Sequence, residues 1–96
     1  MALYMISYDI DEQHPDKYQP LMGLLKKWGA QEVLFSQWVV KAPQASAQLM
    51  ANEIDKAITL TGTDRLLVQE VGKDASWKNL KIGDDKFIEW LKLSRI

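Results

Sequence analysis

Apolar positions along the chain alternate between a two-residue period and a helical one, and the order of those periods predicts a fold. From Leu3 to Ile10 every residue except Ser7 and Asp9 is apolar or aromatic. This run reads as a buried strand, and the polar stretch Asp11-Glu12-Gln13-His14-Pro15-Asp16 after it reads as a loop. Tyr4, Ile6 and Tyr8 fall on one side of such a strand, and Leu3, Met5, Ser7 and Asp9 on the other. Tyr18, Leu21, Met22, Leu25 and Trp28 then recur at helical spacing. Asp16 is placed to cap that helix, Pro20 lies early in it where a missing N–H costs least, and Gly29 sits where a left-handed C-terminal glycine belongs. The spacing predicts a helix over about Lys17 to Trp28.

Gln31 to Lys41 is β-rich and reads as two strands or one sharply bent strand, with the bend near Ser36. Pro43 interrupts the pattern. Ser46 is placed to cap a second helix, whose stripe is Met50, Ile54, Ala57, Ile58 and Thr61 and which Gly62 ends. Arg65 to Val71 is a further strand. Gly72 to Gly83 is mostly loop, with room for a short strand at Lys78 to Ile82, and Asp85 to Leu93 is a short C-terminal helix.

The resulting order, β-α-β-β-α-β plus a tail helix, predicts an α+β protein of ferredoxin-like type: one domain over residues 1–96, with a four-stranded antiparallel sheet and two helices on one face. Two helices cover one sheet face. The first strand and Leu66, Leu67, Val68 and Val71 of the last carry apolar residues on both faces, so the second face is expected to keep an apolar patch. A two-fold homodimer is the expected consequence. Sheets meeting face to face would bring the two copies of Asp9 together, and two carboxylates at one seam call for a proton or cation between them.

Composition narrows the chemistry. The chain has no cysteine, which excludes disulfides and thiolate metal sites. No run approaches a membrane span, and the start lacks the basic and apolar regions of a signal peptide, so a cytoplasmic protein is expected. The formal net charge is −1, with only Arg65 and Arg95 as arginines. That is a poor electrostatic footprint for nucleic acid, because phosphate binding draws on clustered Lys and Arg. The one tight basic pair, Lys26-Lys27, falls at a helix end, where it favours the helix dipole.

Asp9 is the most informative single residue. An aspartate at the mouth of a strand either bonds local backbone N–H groups or holds a hard cation through oxygen. Asp11 is a second oxygen donor in the following loop, or a solvated loop acid. His14 is the only histidine, so one chain cannot build a histidine pair or triad. Ser36 offers a hydroxyl at the strand bend, or simply bonds its own backbone. Trp28 and Trp38 lie on apolar stripes and read as packing. Trp77 and Trp90 are expected to pin the C-terminal segment to the body or to a partner subunit.

One resemblance runs through these residues. Tyr8-Asp9-Ile10 after an apolar strand, a helix ending in Lys27-Trp28-Gly29 and a strand pair around Ser36 resemble the small CRISPR-associated ribonuclease and spacer-acquisition family. Tyr4-Met5-Ile6-Ser7-Tyr8-Asp9, Ser36-Gln37-Trp38-Val39-Val40, Asp64-Arg65-Leu66-Leu67-Val68 and Gly72-Lys73-Asp74-Ala75-Ser76-Trp77 look closest to its SinR-like branch. The resemblance implies a ferredoxin-like homodimer in which Asp9 binds Mg²⁺ or Mn²⁺ and Ser36 lies near the dimer site, and the loop position of Asp11 makes it the candidate for a further metal ligand. It implies a metal-dependent endonuclease acting on RNA or DNA. The alternative expectation is a non-catalytic architectural or adaptor dimer in a CRISPR, toxin–antitoxin or phage-defence system, with a protein partner.

Overall fold

In the computed structural model, which describes residues 3–10, 15–41, 46–71, 78 and 80–93, the chain runs in a fixed order. It begins with β1 (Leu3–Asp9), a 3-10 turn (Pro15–Lys17) and α1 (Tyr18–Lys27). β2 (Gln31–Leu34), β3 (Gln37–Lys41), α2 (Ala47–Ile58), β4 (Arg65–Val71) and α3 (Asp84–Leu93) follow. Asp11, His14 and the Gly72-Lys73-Asp74-Ala75-Ser76-Trp77 segment lie outside the described residues. The four strands form one open antiparallel sheet in the order β2-β3-β1-β4. The molecule is thus α+β, with three helices and a four-stranded sheet among the described residues. No helix of those residues is long and apolar enough to cross a membrane.

The alternation in β1 decides the layering. Tyr4, Ile6 and Tyr8 are buried on the face that carries α1 and α2, where they join Leu21, Leu25, Trp38, Val40, Met50, Ile54 and Ile58. Each helix contributes one apolar stripe, Leu21 and Leu25 from α1 and Met50, Ile54 and Ile58 from α2, as amphipathic periodicity requires. Ala57, read as part of the α2 stripe, is exposed instead.

Helix ends differ from expectation in two places. The residue flanking α1 is Lys17, with no side-chain cap, because Asp16 is taken into the preceding 3-10 turn. α2 stops at Ile58, four residues short of Gly62. Thr59 adopts a left-handed φ of 55°, its N–H bonds the Asp55 carbonyl, and the Asp55 carboxylate accepts the Leu60 N–H at 3.0 Å. The helix end is thus closed by its own last turn and needs no glycine. The other caps are as read: Ser46 Oγ accepts the Leu49 N–H at 3.1 Å, and Gly29 has φ 72°. Gln31 to Lys41 forms two strands, joined by a turn at Phe35-Ser36 in which Ser36 has φ 59°.

The second sheet face departs most from the sequence reading. It was expected to keep an apolar patch, and the tail helix α3 lies over part of it. Phe87 is buried there with Val33 and Val39, and Leu3, Met5, Leu80, Ile82 and Trp90 pack around them. Lys41 Nζ donates to the Trp90 carbonyl at 2.6 Å and stands 4.0 Å from the centre of its ring, while Phe87 and Trp90 stack at 5.8 Å. Burial lowers the Lys41 ammonium below its ordinary value. Trp90 therefore pins the C-terminal segment to its own sheet. No strand occurs at the described residues between 78 and 82; the Lys81 N–H instead makes a single bond to the Val33 carbonyl on the β2 edge, at 2.9 Å.

Candidate functional site

α3 covers the Leu3–Met5 end of the second face and leaves the Ser7–Asp9 end open. Asp9 lies there, exposed, at the last position of β1. Antiparallel pairing sets Arg65, the first residue of β4, directly across from it, and Leu67 across from Ser7. Ser7, Tyr8, Asp9, Arg65, Leu66 and Leu67 line an open depression of about 240 Å³. Leu67, an apolar side chain among these residues, is 55% exposed.

The chemistry of each group follows from its surroundings. The Asp9 carboxylate makes no hydrogen bond or ion pair among the described residues, so it is not spent on capping the strand. Asp9 and Arg65 put opposite charges at one register position on the same face without forming an ion pair. Ser36 meets this end of β1 through its backbone: its carbonyl accepts the Tyr8 N–H at 3.1 Å, which extends the β1–β3 pairing to the turn. Behind the depression, on the helix side, the Trp38 Nε1–H donates to Tyr8 Oη at 3.1 Å. Tyr18 packs edge-on against Tyr8 at 6.4 Å and donates to the Ile10 carbonyl at 3.4 Å. Burial pushes the Tyr8 hydroxyl above the ordinary tyrosine value, against the opposing pull of the Trp38 bond, so it stays protonated and acts as a structural acceptor.

A cluster that sequence reading passed over holds this end in place. The Asp64 side chain is 0% exposed and is ion-paired with Lys17 at the start of α1. The same carboxylate oxygen accepts the Thr61 N–H at 3.0 Å and Thr61 Oγ1 at 3.1 Å. This clasp fastens the first residues of β4 to the first turn of α1 and so fixes Arg65 beside Asp9. The Thr-x-x-Asp spacing hints at the local turn, but Lys17 lies 47 residues away and no local pattern points to it.

Among the described residues no three His, Asp or Glu side chains gather as a metal would need. Asp9 stands as one carboxylate at the register position of Arg65, whereas Mg²⁺ takes about six oxygen ligands. Among the described residues, Asp9 alone does not supply the oxygen ligands of a divalent cation. Several lysines are also engaged locally rather than lined up: Lys17 with Asp64, Lys41 with Trp90, and Lys81 with Glu32 at 3.1 Å and over the Phe35 ring at 4.4 Å.

These features define an α+β protein with an open antiparallel sheet and one charge-balanced, partly apolar sheet end. Compared with known protein-family models the chain matches none, and no solved structure matches it.

Proposed function

We propose that the chain is a ferredoxin-like assembly module, a homodimer with an architectural or adaptor role, as its resemblance to the SinR-like branch of the CRISPR-associated family suggests. The observation that carries this reading is the Asp9–Arg65 register pair beside exposed Leu67. Opposite charges at one register position beside an apolar side chain suit contact with protein, whose interfaces combine apolar centres with polar rims. A phosphate backbone calls instead for a continuous line of cations.

The second reading is a metal-dependent phosphodiesterase acting on RNA or DNA, and the uncapped Asp9 carboxylate favours it. In that reading Asp9 of two chains meeting face to face, with Asp11 and Ser36 nearby, holds Mg²⁺ or Mn²⁺. The bound ion would supply an activated water and charge neutralisation at phosphate.

One assay separates the two. The purified chain and its Asp9→Asn variant are incubated with labelled single-stranded RNA and duplex DNA in Mg²⁺, Mn²⁺ or EDTA. The assembly-module reading expects no cleavage that depends on both metal and Asp9. Metal-dependent cleavage by the wild type, abolished in Asp9→Asn, would replace it with the phosphodiesterase reading.

A further inference from the structure

The two edges of the sheet are finished differently. β2 is four residues long, carries a register irregularity between Glu32 and Leu34, and has its Val33 carbonyl covered by the Lys81 N–H. Shortness, a bulge and a covering segment are the usual means of protecting an exposed edge. Among the described residues β4 has none of these. It is seven residues long, pairs with β1 without a register shift from Arg65 to Val71, and contains no proline, glycine or lysine. Its outer backbone groups make no hydrogen bond among the described residues.

Which groups point outward follows from the ladder. The Tyr8 N–H bonds the Ser36 carbonyl on the β3 side, so the even-numbered residues of β1 face β3 and the odd-numbered ones face β4. Leu3, Met5, Ser7 and Asp9 are thus bonded to Val71, Gln69, Leu67 and Arg65. Leu66, Val68 and Glu70 are left with their N–H and C=O groups directed outward.

We infer that the outer edge of β4 pairs with β4 of a second copy about a two-fold axis at Val68, making one continuous sheet through both subunits. This rests on the homodimer reading and specifies its surface. The argument is self-complementarity. With Val68 opposite Val68 of the partner subunit, Leu66 falls opposite the partner's Glu70, and Glu70 opposite the partner's Leu66. All three outward donors and all three outward acceptors of each chain are then satisfied, and a shift of two residues either way leaves one residue's pair unmet. The same register sets Leu67 against the partner's Gln69 and Arg65 against the partner's Val71, so no like charges are opposed.

This dimer keeps the two Asp9 residues apart. They are three strand spacings across and six residues along, on the order of 25 Å. Edge pairing therefore builds no shared carboxylate site.

The chain has no native cysteine, so single-cysteine variants report one proximity each. Residues facing each other in a hydrogen-bonded antiparallel pair have Cα atoms roughly 5.5 Å apart, within disulfide range. Val68→Cys is expected to form a disulfide-linked dimer under mild oxidation, and Ser7→Cys, on the open face, is not. Glu70→Pro removes an outward N–H and leaves the bonds to β1 intact, as proline on an edge strand can. It is expected to weaken dimerisation at least tenfold in sedimentation equilibrium while preserving the circular dichroism spectrum. A dimer that crosslinks through Ser7→Cys, or that ignores both Val68→Cys and Glu70→Pro, overturns the β4 surface and leaves the homodimer reading standing. A monomer at every concentration overturns both and leaves the edge to a strand from another protein.

Discussion

The helix face and the second face of the sheet share the same strands, yet their cores are unequal. On the helix face eleven buried residues form one cluster among the described residues, fed by β1, β3, α1 and α2. On the other face three do, and only Phe87 comes from the covering helix. Alternation along β1 sends Ile6 to the first cluster and Met5 to the second, so neighbouring residues have very different energetic weight. The thick layer keeps the fold; the thin one attaches α3 and stops short of Asp9.

That contrast predicts an order of effects. Ile6→Ala, at a fully buried position, is expected to cost about 3–4 kcal/mol in urea or thermal unfolding. A cost below about 1 kcal/mol would mean that the helix-face core tolerates voids and is not the main support. Phe87→Ala is expected to fall at the low end for a buried phenylalanine, about 3 kcal/mol, because a shallow site relaxes around the loss more readily than a deep one. Hydrogen exchange should then show α3 amides losing protection while β1 amides keep theirs. Equal loss in both elements would show that the two layers unfold as one. The smallest effect is a pH dependence on the helix face. The buried Tyr8 hydroxyl titrates above its ordinary value of 10.0, so the folded state holds that proton longer than the unfolded state. Its contribution is fully present below pH 10.0 and is lost as pH rises through the folded value. The unfolding midpoint should therefore fall above that pH, and Tyr8→Phe should flatten the slope. An unchanged slope in Tyr8→Phe would assign the alkaline loss to other groups.

Much of this architecture was legible because burial leaves a period in the sequence. The strict alternation of Tyr4, Ile6 and Tyr8 located β1 and both of its faces, and Ser46 marked the start of α2. Features set by contacts distant in sequence were not legible. The apolar stripe of α3 was visible in Phe87 and Trp90, but nothing local says that it docks on Leu3, Met5 and Val39. Arg65 became relevant to Asp9 only through a strand register that spans most of the chain. The Asp64–Lys17 clasp was hidden for the same reason, since a buried charge reads like a solvated one until its partner is located. The α2 end was misplaced because Gly62 is the conspicuous breaker, while a threonine in a left-handed conformation carries no such signal.

The central place of β1 also sets a timetable for biosynthesis. β1 leaves the ribosome first, but its neighbours β3 and β4 come later, and pairing with β4 reaches from Leu3 to Val71. At roughly 5–20 residues per second, translation from Asp9 to Arg65 takes on the order of 3–11 s. For that interval an apolar strand waits with at least its β4-side edge bare, while the β2–β3 hairpin closes in microseconds once made. The nascent chain is thus most open to chaperone holding or to misassociation before β4 emerges, and synonymous changes that slow translation between the two strands would lengthen that exposure without altering the finished protein.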